Sequence, residues 1–235
     1  MADAVPGTVA QAARTNRFAG ESPLDFLHHP TIVTVKKREF IYSRKSPCPG
    51  LCCVASGTVA VSRFPRPDCE VLVDVYGPED LFGELSLLDQ AENEQAIALL
   101  DTAVMIWPVR QVVETMAREP RLIRSLLQLE LLRAIDLTQR VESFSTEDVV
   151  HRLARALIRF SEHLSTPDDS GCREIRPPLT HLLLSNYLGV SRVVVSEKMN
   201  ELRSLGFVRY SREGTCVYGD AVREWLLQTS GNRAA

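Results

Sequence analysis

The sequence predicts an α+β protein in three parts: an antiparallel β-barrel, a long helix, and a helix-turn-helix with a two-stranded wing. Three observations carry this prediction. Residues 31–107 alternate short runs rich in Val, Ile and Cys with Pro/Gly turn clusters, the spacing of a small barrel or sandwich. From Val109 the apolar period lengthens to helical steps. Residues 177–219 place caps and glycines where two short helices would begin and end.

In the first part, strands are expected at 31–35, 51–55, 58–64, 70–76 and 97–107. Turns at 46–50, 56–57, 65–68 and 77–80 separate them. The helical part runs over 109–142 with one break, at Pro120. Its apolar positions form two adjacent rows, Leu122/Leu126/Leu129 and Ile123/Leu127/Leu131. That stripe is too wide for one neighbour, so the helix is expected to pack on its own domain and on a second copy. A further amphipathic helix over 146–164 ends at the polar linker 165–171. The expected domains are a flexible tail (1–20), a β-barrel (21–108), a dimerisation region (109–143) and a helix-turn-helix unit (144–235).

In the last part, Thr180 can cap a helix ending at Leu188, where Gly189 supplies the left-handed residue. Ser191 caps a second helix, which Gly206 closes. Leu184, Leu188 and Val190 would face Val195, Met199 and Leu202, fixing the angle between the two helices. Phe207–Tyr210 and Cys216–Tyr218 add a wing bearing Arg209 and Arg212. This arrangement can lay its second helix in the major groove of DNA. The helix-start residues Thr180, His181 and Ser191 sit on that side.

Composition bounds the alternatives. The chain has 235 residues, 45% hydrophobic and 24% charged, and a net charge of −3, which is ordinary for a folded protein and uninformative about nucleic acid. The split is more useful: 15 Lys+Arg face 19 Asp+Glu up to residue 144, and 12 face 11 beyond it. Neither a secretory leader nor a membrane span is expected, and the six cysteines are too few and uneven for a disulfide scaffold. A reducing cytoplasm is therefore expected, with thiols free or ligating and Cys172 and Cys216 incidental. An enzyme on a metal-binding barrel would need a compact His/Glu set, yet 31–107 holds no histidine.

The strings LGVSRVVVSEKMNELRSLGFV, LCCVASGTVAV and YGPEDLFGELSLL resemble the cyclic-AMP receptor protein/fumarate–nitrate reduction regulator superfamily of bacterial transcription factors. The likeness covers about residues 24–228 in the family's order. It implies a jelly-roll sensor barrel of the cyclic-nucleotide-binding type, and a homodimer on a two-fold-symmetric double-stranded operator. RNA polymerase is the further partner it implies.

The resemblance also places residues. Arg192 matches the arginine that contacts phosphate or guanine, and Ser196 matches as well. Val193 stands where glutamate is usual, and Glu197 where an arginine commonly reads guanine. A valine can touch only a thymine methyl, while a glutamate can accept from cytosine N4. The half-sites are therefore expected to differ from the family consensus, unless both side chains face protein or solvent.

In the sensor, Gly83, Glu84 and Leu85 match the phosphate-cradling turn and its ribose-holding glutamate. The phosphate-neutralising arginine falls at Glu94 and its neighbour at Gln95, with Glu92 adding further negative charge. A carboxylate there reverses the Coulomb term, which argues against a cyclic nucleotide unless a loop shift brings in Arg63 or Arg66. The effector and any cofactor are left open.

One alternative is a thiol or metal sensor using Cys48, Cys52, Cys53 and Cys69. The N-terminal cysteine group of the cluster-binding branch is absent, and Cys52 and Cys53 point to opposite faces of a strand. Another is haem held by His28 or His29. A third is an interaction module that has lost DNA binding.

Overall fold

The computed structural model describes residues 21–88, 93–165, 168, 171–177, 179–211 and 214–231. The expected tail at 1–20, Glu92 and Arg212 lie outside the described residues. The sensor strands are β1 (Thr31–Val35), β2 (Phe40–Tyr42), β3 (Gly50–Ser56), β4 (Val59–Arg66), β5 (Cys69–Tyr76), β6 (Leu81–Phe82), β7 (Glu94–Ala98) and β8 (Thr102–Pro108). They pair antiparallel as two four-stranded sheets, β1-β8-β3-β6 and β2-β7-β4-β5.

The expected barrel is thus corrected to two separate sheets. Consecutive strands β3 and β4 belong to different sheets, so the chain changes sheet at 57–58 instead of continuing one ladder. The expected strand 97–107 is likewise two strands. Asp101 makes the corner between them, its carboxylate taking Lys36 Nζ at 2.8 Å and Lys37 N–H at 3.0 Å. In an otherwise apolar run, that one aspartate was the only local sign of a turn.

Tyr42, Cys52, Val54, Val61, Tyr76, Phe82, Ala96 and Val104 fill the space between the sheets. Behind the first sheet pack α1 (Val109–Arg118) and the first turns of α2 (Pro120–Thr146), through Leu51, Cys53, Trp107, Val112, Leu122 and Leu126. Pro120 opens α2 at the position where its missing N–H costs nothing. The boundary expected after residue 143 falls inside this helix.

The remaining elements are α3 (Val149–Leu164), β9 (Arg173–Ile175), α4 (His181–Leu188), α5 (Arg192–Ser204), β10 (Val208–Tyr210), β11 (Thr215–Val217) and α6 (Gly219–Gly231). Asp148 starts α3 by accepting the His151 N–H at 3.1 Å. The outer face of the second sheet, through Ala60, Leu72 and Val75, shares one core with Leu153, Leu157, Phe160 and Leu184 of the helical unit.

Arg159 of α3 clasps Asp74 of β5 through two hydrogen bonds, 2.7 and 2.6 Å. Burial alone would push the Asp74 carboxyl up, but the Arg159 hydrogen bonds and charge hold it below the ordinary value.

Candidate DNA interface and sensor interior

Local chemistry fixes α4 and α5. Thr180 accepts the Leu183 N–H at 3.1 Å, and Ser191 accepts the Val194 N–H at 3.3 Å, satisfying donors that a helix start leaves unpaired. Gly189, at φ 66°, takes the left-handed turn between them. Leu184, Leu188, Val195, Met199 and Leu202 are buried, with Val190 packed on them.

What the helix keeps outside is the candidate interface. Arg192 is exposed, Val193 is 76% exposed, and the Glu197 side chain is 68% exposed, with Lys198 Nζ 3.4 Å away. Arg209 is exposed on β10. Ser196 Oγ donates to the Arg192 carbonyl at 2.9 Å and lies 2.8 Å from His181 Nδ1. His181 Nε2 is 3.2 Å from Tyr210 Oη. With the Ser196 proton so used, neutral His181 donates from Nδ1 and accepts the Tyr210 hydroxyl at Nε2. Burial, then the Arg192 charge, lowers the His181 pKa and favours that neutral form. The relay ties the start of α4 to α5 and to the wing.

The sensor interior is arranged differently. Gly83 holds the tight turn at φ 80°, where any Cβ would lie 2.7 Å from Cys48 Sγ and 2.9 Å from the Gly50 carbonyl oxygen. Glu84, the next residue, forms an ion pair with Arg133 of α2 at 3.1 Å, and Arg133 also donates to Glu130 at 2.9 Å and to the Leu81 carbonyl. Burial works against the Arg133 charge, but Tyr76, Glu84 and Glu130 raise its pKa overall. The second Glu84 oxygen, Oε2, is buried without a hydrogen-bond partner. Glu94 is buried and accepts from Tyr42 Oη at 2.6 Å. Burial raises its pKa, and the Glu84 charge adds to the rise. Gln95 is half-buried beside it, and Arg63, opposite Glu94 on β4, is exposed.

Comparison with known proteins agrees with both halves. Residues 32–119 match the cyclic nucleotide-binding domain, and residues 151–218 match the Crp-like helix-turn-helix domain. A cyclic AMP receptor protein from Thermus thermophilus is 30% identical over 66% of this chain and 69% of its own length. The chain belongs to the cyclic-AMP receptor protein/fumarate–nitrate reduction regulator family. It is a transcription regulator of that type with a helix-turn-helix, and its homologues are regulators, not enzymes. A global nitrogen regulator from Synechocystis is 22% identical over 80% of this chain and 85% of its own length. The structure of FixK2 from Bradyrhizobium japonicum superposes with a TM-score of 0.71 at 18% identity, covering 84% of this chain and 97% of that one.

In this family member, the four free cysteines divide three ways. Cys48 and Cys52 meet in the sensor interior and share the Gly50 carbonyl, at 3.0 and 3.4 Å, while Cys53 faces α1 and α2 on the other side of the strand. The hydrogen bond between the two thiols lowers the Cys48 pKa and raises that of Cys52. Cys69 lies at the β4–β5 hairpin opposite Arg66. Among the described residues, no three His, Cys, Asp or Glu side chains converge as a metal set. His28 and His29 are exposed, and the His28 carbonyl accepts from Trp107 Nε1 and Gln111 Nε2.

Cys172 and Cys216, expected to be incidental, form a disulfide. Strand β9 pairs antiparallel with β11 and brings their Cα atoms to 5.6 Å, within disulfide reach. The wing is therefore a three-stranded sheet, β10-β11-β9. The polar linker and the following prolines hid β9 in the sequence.

Sequence reasoning also missed the contacts of Tyr42 and Tyr210, and that of Arg133 with Glu84. Only Arg133 left a signal, as the charged residue interrupting an apolar helical row. No helix among the described residues is long and apolar enough to cross a membrane.

Proposed function

We propose that the chain is a homodimeric, cytoplasmic, sequence-specific DNA-binding regulator whose sensor takes no cyclic nucleotide, with RNA polymerase as a further partner. The observation that carries the DNA reading is the outer face of α5. Arg192, Val193 and Glu197 stand exposed on a helix capped at its start and braced by the His181–Ser196–Tyr210 relay. Arg192 contacts phosphate or guanine, Val193 and Glu197 shift the base preference, and the wing's Arg209 and Arg212 grip the backbone. Thr180, His181, Ser191 and Ser196 position that face.

Homodimerism is supported by the exposed apolar row Ile123, Leu127, Leu131, Ile135 and Val141 on α2, which a second copy would cover. On this reading residues 21–108 sense, 109–143 dimerise and 144–235 bind DNA.

Curated relatives carry cyclic AMP in their names, but this chain's own residues fit that ligand poorly. Glu94 stands in the cation's place, buried and bonded to Tyr42, and Glu84 is engaged by Arg133. A phosphate there would meet two carboxylates. Binding-site selection with the purified chain tests the reading. A two-fold-symmetric site, bound equally with and without cyclic AMP, is expected. Arg192→Ala is expected to weaken it by about 1–3 kcal/mol. A footprint appearing only with cyclic AMP, or an Arg192→Ala variant of unchanged affinity, would sink it.

A further inference from the structure

A groove of about 460 Å³ lies outside both sites, between the C-terminal half of α2 and helices α3, α4 and α6. Its lining holds five arginines against two acids, Asp136 and Glu162. Three of the five are neutralised: Arg155 by Glu147 at 2.6 Å, Arg159 by Asp74, and Arg223 by Glu162 and Asp220.

Arg140 and Arg152 are different. Among the described residues, neither has a carboxylate within ion-pair distance. Arg140 donates only to the carbonyls of Leu72, Val73 and Tyr187. Arg152 donates to the Leu188 carbonyl at 3.4 Å, and its Nε–H is buried without an acceptor. Each guanidinium lies over an aromatic ring, Arg140 over Tyr187 at 3.9 Å and Arg152 over Phe144 at 4.8 Å.

Two half-buried cations lacking counter-ions, each stacked on a ring, in a groove whose remaining wall includes Leu188, Leu226 and Leu227, define a ligand chemistry. We propose that this groove binds a small organic anion with a flat aromatic body, of the aryl phosphate or aryl carboxylate class. The anionic group sits against Arg140 and Arg152, and the ring lies along Phe144 and the leucines.

Dimerisation through the exposed row of α2 leaves the groove open. At about 100° per residue, Ile123, Leu127, Leu131, Ile135 and Val141 fall within an arc of roughly 120°. Asp136, Arg140 and Ser143 lie on the opposite side of the helix. A ligand bridging Arg140 of α2 and Arg152 of α3 would fix the angle between the long helix and the DNA-reading unit. That consequence rests on the DNA-binding reading above; the binding itself does not.

The test uses the full chain without DNA, so it fails independently of any operator. Calorimetric titration with phenyl phosphate is expected to show saturable binding at one site per chain. Inorganic phosphate and phenol, the two halves of the probe, are expected to bind at least roughly tenfold more weakly. Arg152→Gln removes a charged donor and should weaken phenyl phosphate roughly tenfold or more.

Because Arg152 also braces Leu188, a second variant guards against misfolding. Gln139→Glu adds a carboxylate at the exposed rim and removes no hydrogen bond of a described residue. It should weaken the probe severalfold while leaving the melting temperature unchanged. No saturable binding by the unmodified chain, equal binding of inorganic phosphate, or a folded Gln139→Glu variant that binds as tightly as the parent overturns the proposal.

Discussion

The sensor interior and the outer face of α5 are built by opposite rules. Between the sheets, most of these polar groups are met from within, Glu94 by Tyr42, one Glu84 oxygen by Arg133, and Cys48 and Cys52 by Gly50, while Glu84 Oε2 is left without a hydrogen bond. On α5, the inner side chains are spent on packing and capping, while Arg192, Val193 and Glu197 are left unspent in solvent. A region that answers its own charges has little free energy left to offer a ligand; one that leaves them exposed does. On the function proposed above, the first arrangement suits a domain that takes no cyclic nucleotide and the second a helix that reads DNA.

The joint between the two regions gives the largest expected effect. Arg159→Leu leaves the half-buried Asp74 carboxylate without its cation and should cost about 2–3 kcal/mol of stability, measured by urea unfolding. A loss below about 1 kcal/mol would mean the two regions are not coupled through this pair.

The reader depends on local caps, so Ser191→Ala should cost about 1 kcal/mol of stability. It should weaken DNA binding less than Arg192→Ala does. The reverse order would mean that α5 acts through its placement more than through its side chains.

The smallest effect should be in the sensor. Burial raises the Glu94 pKa above its unfolded value, so the folded state binds the proton more tightly. Stability from that proton is complete below the unfolded carboxylate value of about 4.3 and is lost as pH rises through the folded value. Glu94→Gln should therefore raise the melting temperature at about pH 7.5, with the gain fading toward about pH 4. A lower melting temperature at neutral pH would show the Glu94 charge to be stabilising.

The same contrast explains what was legible in the sequence. Caps at Thr180 and Ser191, the turn at Gly189 and the burial of Val195, Met199 and Leu202 are set by residues a few positions apart. Periodicity and local chemistry find such features. The Tyr42–Glu94 bond spans 52 positions and the Arg159–Asp74 pair 85, and no local pattern announces either. The sheet change after Ser56, the corner at Asp101 and strand β9 were hidden for a related reason. Each is decided by which distant strand is available to pair.

The Cys172–Cys216 bond has a consequence for how the molecule comes apart. It joins residues 44 positions apart in sequence, so α4, α5 and β10 lie within one covalent ring. A single proteolytic cut anywhere in that ring cannot release a fragment while the bond lasts. On a gel, nicked protein should run as one species without reductant and as two with it. Two bands without reductant would place the cut outside the ring or show the bond to be open.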